Sequence, residues 1–457
     1  MDQLHSVLSA INSFIWGPFL LIPLLLLTGL YLTIRLRGQQ FRILGHALWL
    51  ALIRRKEPKA ITGDVSHYQA LATAMAATIG VGNIAGVATA IGIGGPGALF
   101  WMWMTGLVGM ATKYSEALLG VKYRCTDEHG EQSGGPMYYL THGIGGRWGT
   151  VLGVSFALFG AIAAFGIGNM VQANTAAGQL QTTWGISPSW SGLVMAIAAA
   201  AVILGGIKSI ARFAAGVVPI MCLLYMCANL AVLLVFADQV PAAIALVFKD
   251  AFTGTAAAGG FTGAAVILAI QMGVARGIFS NESGLGTGAI AAASAITEKP
   301  VRQAMVSMTQ TFIDTLIMVT LTALANIVTG AWMQEGLAGA PMTAWALEQA
   351  LGGGWGNVTV ALGVLVFSFT TLLGWCYYGE RCIERLIGRK GVVPYRLIFS
   401  MLIYVGAVLS LDLVWTFADI ANGLMALPNL IGLILLSGVV VRETREYFAN
   451  SNWRDAD

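Results

Sequence analysis

The feature that most constrains this chain is a series of apolar stretches, each close to the length that crosses a lipid bilayer. A membrane-spanning α-helix needs about 20 mostly apolar residues. Eleven such stretches lie near residues 16–34, 68–94, 98–121, 150–180, 190–205, 213–236, 261–296, 303–330, 355–380, 396–411 and 414–440. Only 10% of the 457 residues are charged, whereas a soluble domain carries about 25%. The sequence therefore predicts an all-α polytopic membrane protein with about 11 transmembrane helices.

Basic residues are concentrated in every second loop between these stretches. The loop after the first stretch contains Arg35, Arg37, Arg42, Arg54, Arg55, Lys56 and Lys59. The other set of loops contains one basic residue, Lys249, among acids such as Asp238. Since loops rich in Lys and Arg stay in the cytoplasm, we expect the N-terminus outside and the C-terminus in the cytoplasm, in the inner membrane of the cell. Segment 40–56 combines an apolar stripe with basic flanks, which predicts an amphipathic helix at the cytoplasmic interface.

Two of the stretches are too long and too rich in glycine to be simple helices. Residues 78–97 read TIGVGNIAGVATAIGIGGPG, and residues 273–288 read GVARGIFSNESGLGTG. A glycine inside a helix costs about 1 kcal/mol relative to alanine, and irregular backbone in the bilayer persists only where it is buried in protein or lines a cavity. The sequence therefore predicts that both helices are interrupted at mid-membrane depth. Tight packing of an intact helix is the alternative for either stretch taken alone.

The two interruptions are spaced as in an inverted repeat. Asn83 and Asn281 lie 198 residues apart, with five predicted helices from one interruption up to the next. An odd number of helices inverts the second copy, and transporters of this kind place paired broken helices around a site at the midplane. We expect four regions: an extra N-terminal helix with the amphipathic helix (1–60), a first five-helix repeat (61–240), a second (241–445) and a cytoplasmic tail (446–457).

Long blocks around both interruptions resemble the alanine or glycine:cation symporter family. They are ATIGVGNIAGVATAIGIGGPGALFWMWMTGLVGMATKYSEALLGVKYR (77–124) and GVARGIFSNESGLGTGAIAAASA (273–295), and the run QSGGPMYYL (132–140) is also similar. The resemblance implies uptake of small neutral amino acids such as alanine or glycine, coupled to sodium and in some members to protons. It also implies a leucine-transporter-type fold of five plus five inverted helices, here with one extra N-terminal helix.

The resemblance also implies a sodium site. The carbonyl groups of Ala76 and Ile79 would face the ion, and the adjacent hydroxyls of Thr370 and Thr371 would complete the site. Sodium is a hard cation that prefers oxygen ligands, so this donor set is chemically reasonable. The alternative is that both threonines bond to carbonyls of their own helix.

For the substrate, the resemblance implies that backbone N–H groups near Thr78 and Gly80 bind the carboxylate. It suggests that Gln172 reaches the amine, supported by Asn169 or Asn174. An ordinary interhelical hydrogen bond is the alternative for Gln172.

Three aromatic residues and one asparagine complete the predicted binding residues. Phe165 shares a helical face with Gln172 at the spacing i, i+7. Phe279 in the second interruption and Trp375 are candidates to close over a small side chain, although membrane aromatics often only pack. Asn83 serves a second ion, anchors the break, or does both.

Several charged residues have no assigned ligand. We expect Arg276 and Glu282 to form structural or gating interactions on the cytoplasmic side, and Asp314 to pair with Arg276 or with a polar neighbour. Lys113 and Glu116 are expected on a solvated cytoplasmic face.

Other function classes fit less well. Metal catalysis needs clustered histidine and acidic side chains, and the five histidines are neither paired at i+4 nor located in the broken helices; we therefore expect no enzyme. A channel also uses broken helices, but paired inverted interruptions favour alternating access. Proton coupling is the open alternative to sodium coupling, and it requires a buried acid such as Glu282, Asp314 or Asp419. We expect no organic cofactor, no nucleic-acid partner and no disulfide, and a monomer.

Overall fold

The computed structural model describes residues 2–17, 19–55, 62–127, 130–253, 262–409, 411–450 and 453–454, which are mostly helical. The helices up to residue 235 are α1 (Asp2–Ile15), α2 (Leu21–Arg35), α3 (Gln39–Arg42), α4 (Leu44–Trp49), α5 (His67–Thr78), α6 (Ala85–Gly94), α7 (Ala98–Lys122), α8 (Pro136–Tyr139), α9 (Gly146–Phe165), α10 (Val171–Trp184), α11 (Pro188–Ile203) and α12 (Gly206–Val235). The later helices are α13 (Val240–Thr253), α14 (Thr262–Asn281), α15 (Thr287–Ala293), α16 (Pro300–Thr311), α17 (Thr320–Val328), α18 (Ala340–Leu351), α19 (Trp355–Ile387), α20 (Val392–Val408), α21 (Leu411–Leu435) and α22 (Ser437–Ala449).

Irregular helical turns and one hairpin connect these helices. The π-helical segments are Leu50–Arg54, Leu140–Ile144, Gly166–Met170 and Phe312–Val319, and the 3₁₀ turns are Val81–Asn83, Ala237–Gln239, Ala331–Met333 and Arg389–Gly391. Strands β1 (Cys125–Thr126) and β2 (Gln132–Ser133) form an antiparallel hairpin, with Cys125 opposite Ser133.

Within the described residues, seven helical segments are long and apolar enough to cross a membrane. They are Gly146–Trp184, Gly206–Val235, Gly263–Asn281, Pro300–Val328, Trp355–Ile387, Arg389–Val408 and Val414–Leu435. Each of the eleven predicted stretches contains an observed helix, but the number that cross the membrane stays a prediction. The amphipathic segment 40–56 is helical over most of its described length, as α3, α4 and the π-helical segment that follows.

Five helices of the described residues were not predicted, because they lie mostly outside the long apolar stretches. These are α1, α8, α13, α18 and α22. The first of them packs against α21, and Trp16 just after it donates a hydrogen bond from Nε1 to the backbone oxygen of Asp419 (2.8 Å). Short helices of mixed polarity lack the hydropathy signal by which a membrane span is recognised.

Small residues bring α7 close to the second broken helix. A Cβ atom added at Gly109 would lie 2.9 Å from Ser283, and one added at Gly120 would lie 2.6 Å from the carbonyl oxygen of Ala289. Helices in membranes associate mainly through such close van der Waals contact, because lipid removes the hydrophobic drive between them. The close approach places the polar residues of α7 beside the second interruption.

The segment just before the N-terminus of α5 is hydrogen-bonded to the segment just after the C-terminus of α15. Val65 and Ala295 form a parallel bridge, in which the N–H of Ile296 donates to the oxygen of Val65 (2.7 Å). The guanidinium of Arg124 donates to four backbone carbonyl groups in the same two segments. Those carbonyls belong to Thr62, Ala293, Ala295 and Thr297. The N-terminal end of the first broken helix is therefore fixed to the C-terminal end of the second broken helix.

Candidate functional site

The first interruption lies where the glycine pattern predicts it. Helix α5 ends at Thr78, and Ile79 (φ −77°, ψ 92°) and Gly80 (φ −138°, ψ −150°) are extended before the 3₁₀ turn. Helix α6 then begins at Ala85. The backbone is buried along the whole break, so each of its polar groups requires a partner.

Two amide side chains satisfy backbone N–H groups of this unwound segment. The Asn83 carbonyl oxygen accepts from the N–H of Gly80 (3.1 Å), and its amide group donates to Asp314 (2.7 Å). Gln172 Oε1 accepts from the N–H of Val81 (3.1 Å). These two N–H groups point away from the helix ladder, and both are held by the oxygen of a neutral amide side chain.

Helix α19 lies directly against the break. Thr371 Oγ1 donates to the carbonyl oxygen of Ala76 at 3.0 Å, whereas Thr370 Oγ1 donates to the carbonyl oxygen of Phe367 in its own helix, also at 3.0 Å. A Cβ at Gly80 would lie 2.6 Å from Thr371 Oγ1, so a larger residue does not fit there. The alternative of bonding within the same helix therefore describes Thr370 but not Thr371.

The second interruption is a sharp turn between α14 and α15. Glu282, Gly284 and Gly286 have positive φ angles of 56°, 97° and 81°. A non-glycine residue in this region is strained, and the Glu282 side chain is held by hydrogen bonds from Trp375 Nε1 (2.7 Å) and Thr287 Oγ1 (2.7 Å). Glu282 thus links the second break to α19.

Lys113 and Glu116 support this turn from α7. Both are fully buried. The Lys113 ammonium donates to the backbone oxygen of Glu282 (3.2 Å), and Glu116 Oε1 accepts from the N–H groups of Gly284 and Gly286 (3.0 Å each). The expectation of a solvated cytoplasmic face for them is wrong, because the turn exposes backbone groups that charged side chains satisfy inside the bundle.

A layer of aromatic and charged side chains covers the first break. Phe279 lies next to the break, since a Cβ at Gly82 would be 3.2 Å from its ring, and it packs against Trp415 with the two rings tilted by 30° and their centroids 4.8 Å apart. The guanidinium of Arg276 lies 4.6 Å from the centre of the Trp415 ring and forms a two-bond ion pair with Asp419 (2.9 and 3.2 Å).

A cavity of about 610 Å³ opens above this layer. Among its lining residues are Asn12, Thr89, Thr175, Gln179, Arg276, Ala338, Trp415 and Asp419. Its walls include the last turns of α10 and the loop before α18, at the end of the bundle away from the basic loops. Arg276 lines this cavity, so its expected position on the cytoplasmic side and the expected cytoplasmic position of the basic loops do not both hold.

Asp314 is buried between the two breaks. Its carboxylate accepts from the Asn83 amide (2.7 Å), from the Ser280 hydroxyl (3.0 and 3.1 Å) and from the Thr315 hydroxyl (2.8 Å). Of the two expected pairings, the polar neighbours are the ones observed, since Arg276 pairs with Asp419. All three hydrogen-bond donors are uncharged.

The predicted face on α9 and α10 is divided in the structure. Gln172 reaches the break, but the Phe165 ring stacks on Tyr395 of α20 (4.9 Å), and Asn169 donates to a backbone oxygen of α20 (2.6 Å). Asn174 also donates to carbonyl groups at the end of α20. The π-helical segment between α9 and α10 inserts an extra residue into the turn, so the spacing of an ideal α-helix does not hold across it.

Sequence reasoning missed Gln310, Ser280 and Gly168. Gln310 donates to the Thr78 hydroxyl, and Gly168 leaves room for Trp375, whose Cβ lies 2.1 Å from where a Cβ on Gly168 would be. The sequence contained one signal: the run SMTQT (307–311) is polar inside a predicted span, and polar residues in the membrane usually face the bundle interior.

Ion pairs join the hairpin to the far end of α19. Arg381 pairs with Glu131 (2.8 Å) and Glu384 (2.7 Å), and Arg389 pairs with Glu131 (2.8 Å) and Asp127 (2.5 Å). Burial raises the pKa of Glu131, but hydrogen bonds and charges from the two arginines outweigh burial and lower it to about 2. Ion pairs therefore stabilise this end of the bundle, which is the end opposite the cavity.

Comparison with known proteins identifies the family. The chain matches the model of the Sodium:alanine symporter family over residues 1–456. The chain belongs to that family. The Sodium/alanine symporter AgcS of Methanococcus maripaludis is 50% identical over 446 residues, which cover 97% of this chain and 97% of that protein. An uncharacterized transporter of Haemophilus influenzae is 52% identical over 446 residues, covering 97% and 96%.

A solved structure shows the fold. The crystal structure of MhsT in complex with L-phenylalanine superimposes with a TM-score of 0.57 at 12% identity, covering 84% of this chain and 98% of that chain. Such low identity shows the fold alone, which is of the leucine-transporter type. The predicted family is confirmed, and the chain is a multi-pass membrane protein of a transporter family.

Proposed function

We propose that this protein is a secondary active symporter that imports alanine or glycine together with sodium by alternating access. The observation that carries the proposal is the contact between Thr371 Oγ1 and the Ala76 carbonyl oxygen, beside the unwound N–H groups of Gly80 and Val81. One buried region thus offers oxygen atoms for a cation and N–H donors for a carboxylate. Binding at one location allows ion and substrate to stabilise the same state.

Sodium binds at the oxygen cluster between α5 and α19. The proposed ligands are the carbonyl oxygens of Ala76 and Ile79 and the hydroxyls of Thr370 and Thr371. Each hydroxyl now donates to a carbonyl 3.0 Å away, and rotation of its hydrogen turns both oxygen atoms toward a cation. Oxygen donors without charge suit a monovalent hard ion.

The amino acid binds at the unwound segment. Its carboxylate replaces the side-chain oxygens of Asn83 and Gln172 at the N–H groups of Gly80 and Val81. The released Gln172 oxygen then accepts from the substrate ammonium, which is the role predicted for it. Thr78 ends the helix that carries these groups.

Selectivity for a small side chain comes from aromatic walls. Phe279 covers the break and Trp375 is buried and fixed by Glu282, so both restrict the volume available to a substrate. Phe165 lies against α20, and we leave it out of the proposed pocket.

Transport requires the two ends of the bundle to open in turn. We propose that the repeats 61–240 and 241–445 are inverted copies of five helices that follow the extra N-terminal region 1–60, and that the tail 446–457 is cytoplasmic. In this arrangement the N-terminus lies outside, the cavity faces outward, and the protein acts as a monomer in the inner membrane. Rocking of one repeat bundle exposes the site inward.

The sodium site is tested by removing one hydroxyl. In proteoliposomes with an inward sodium gradient, Thr371→Ala should raise the sodium concentration for half-maximal alanine uptake about tenfold or more, while Thr371→Ser, which keeps the hydroxyl, should stay near the unmodified protein. If the lost ligand oxygen contributes about 1.4 kcal/mol to the free energy of sodium binding, its removal weakens sodium affinity about tenfold. An unchanged sodium half-saturation in Thr371→Ala contradicts the site.

Proton-coupled transport is a second candidate function, and the buried carboxylate of Asp314 is the observation that favours it. A fully buried carboxylate with only uncharged donors requires a cation or a proton to be neutral in the membrane. Under proton coupling, uptake driven by a pH gradient without sodium is lost in Asp314→Asn. Under sodium coupling alone, a pH gradient drives no uptake even in the unmodified protein.

A further inference from the structure

We propose that residues 35–55, here called the basic segment, bind the headgroups of anionic phospholipids together with α22, and that bound lipid restrains the cytoplasmic half of the first broken helix. The ligand is a bilayer lipid with a net negative headgroup, such as phosphatidylglycerol. The leaflet, which is the cytoplasmic one, is named from the proposed orientation. The proposed transport activity is not needed for this binding.

The first observation is a concentration of positive charge on the basic segment. It contains five arginines and no acidic residue. Four of the arginines are exposed: Arg35, Arg37, Arg42 and Arg55. The side chains of Arg37 and Arg42 form no hydrogen bond or ion pair with another described residue. Because arginines close to a bilayer surface attract anionic headgroups, these side chains fit negatively charged lipid.

The second observation is that large apolar side chains are exposed among these arginines. Four of them are 39–71% exposed: Phe41, Trp49, Leu52 and Ile53. Ile43, Ala47 and Leu50 are buried, and α4 packs against α16. One face of the segment is therefore fixed to the bundle, while the other presents apolar and basic side chains together. Such a face suits the boundary between headgroups and acyl chains.

The third observation is a second basic element that packs beside the first. The ring of Trp453 lies edge-on to the ring of His46, with centroids 4.9 Å apart. The hydroxyl of Tyr31 lies 3.0 Å from that of Ser437 at the start of α22. The described residues from 437 onward add three exposed arginines and two acids: Arg442, Arg445, Arg454, Glu443 and Glu446. The two elements therefore form one surface with an excess of positive charge.

The basic segment is attached to the first broken helix at its last residue. The Arg55 guanidinium lies 4.6 Å from the centre of the Tyr68 ring, and the N–H of Tyr68 donates to the carbonyl oxygen of Arg55 (3.4 Å). Tyr68 is the second residue of α5, the helix that also carries Ala76. A lipid that fixes the basic segment in the headgroup region thus restrains the first half of the broken helix.

The test is the association of spin-labelled phosphatidylglycerol and spin-labelled phosphatidylcholine with the purified full chain in phosphatidylcholine vesicles, measured by electron paramagnetic resonance. The unmodified protein should select phosphatidylglycerol about threefold or more. This selectivity should fall about twofold or more between about 0.1 M and about 1 M potassium chloride, because the Debye length shortens from about 10 Å to about 3 Å. Equal association of the two lipids, or a selectivity that salt does not change, overturns the inference and leaves the surface to a soluble partner.

A matched pair of double variants locates the binding. Arg37→Gln with Arg42→Gln should lower the selectivity for phosphatidylglycerol about twofold or more. Arg147→Gln with Arg212→Gln removes the same charge from two exposed positions outside this surface, and it should keep the selectivity of the unmodified protein. An equal loss in both double variants overturns the inference, because the effect then follows from net charge alone.

Hydrogen exchange tests the restraint on α5. In the unmodified protein, exchange at the amides of residues 70–74 should be about threefold slower in vesicles that contain phosphatidylglycerol than in phosphatidylcholine alone. Arg37→Gln with Arg42→Gln should abolish this difference while leaving the contact between Arg55 and Tyr68 in place. Identical exchange in the two kinds of vesicle overturns the restraint. Neither measurement depends on alanine uptake, so failure of the proposed function and failure of lipid binding are separate results.

Discussion

Replacing Gly168 by alanine should displace Trp375 and thereby weaken substrate binding. Gly168 lies in the π-helical segment after α9, and its φ angle is not in the positive range, so the backbone itself tolerates alanine. The obstacle is space: the added Cβ would lie 2.1 Å from Trp375 Cβ and 2.2 Å from Cγ. Trp375 is 1% exposed and has no open side to which it can move without repacking.

The cost can be worked from three contributions. Overpacking a buried site costs about 1–3 kcal/mol, and losing the 2.7 Å hydrogen bond from Trp375 to Glu282 costs about 1.5–3 kcal/mol. The better helix propensity of alanine returns about 1 kcal/mol. The net destabilisation is therefore about 1.5–5 kcal/mol. If about half of it falls on the arrangement that binds substrate, alanine affinity decreases about fourfold to seventyfold.

Two assays measure this effect against a matched control. The half-saturation constant for alanine uptake in proteoliposomes reports the site, and the apparent thermal midpoint of the purified protein reports folding. Gly216→Ala is the control, because Gly216 is also helical and nothing lies within 4 Å of an added Cβ. If Gly168→Ala behaves like Gly216→Ala in both assays, then Trp375 does not have the fixed position from which the pocket is argued.

Two further predictions concern the end of the bundle opposite the cavity. Arg124→Gln should speed hydrogen exchange at the amides of Ile296 and Thr297 at least tenfold, since carbonyl partners on both broken helices are lost, whereas Arg442→Gln, on an exposed side chain, should not. The low pKa of Glu131, about 2, means that its ion pairs stabilise fully above its ordinary pKa of about 4.5 and are lost as the pH falls toward 2. The ionisation of Glu131 should therefore not affect the thermal midpoint between pH 5 and 8. Below pH 4.5 the thermal midpoint should fall, because this group then contributes about 1–2 kcal/mol less to the free energy of unfolding, after allowance for solvent screening. Glu131→Gln should remove that part of the fall.

The glycine pattern was enough to locate both interruptions, because the cost of glycine in a helix is a local property of the chain. The partners of the unwound backbone were only partly predictable. Thr371 and Gln172 reach the first break as expected, but the use of Gln310 and Asp314 depends on how α16 and its π-helical segment face the site. That rotation is set by packing and has no signature in the spacing of residues.

The charged residues of α7 show a second limit. Lys113 and Glu116 lie near the end of a predicted span. The hydropathy of a charged residue at such a position is the same whether its side chain is solvated or buried in the bundle. Their burial follows from the left-handed turn at 282–286, whose free N–H groups need an acceptor. A sequence shows that a helix breaks, but not which neighbouring helix supplies the atoms that satisfy the break.

Sodium-coupled import of alanine is tested most directly by uptake of labelled alanine into proteoliposomes, with an inward sodium gradient and equal pH on both sides. Uptake should be concentrative and should collapse when potassium replaces sodium, and glycine should show the same dependence if the aromatic walls restrict only size. Uptake driven by a pH gradient and indifferent to sodium would contradict the ion site at Thr371 and shift coupling to Asp314. Absence of uptake under either gradient would contradict the proposed transport of alanine or glycine.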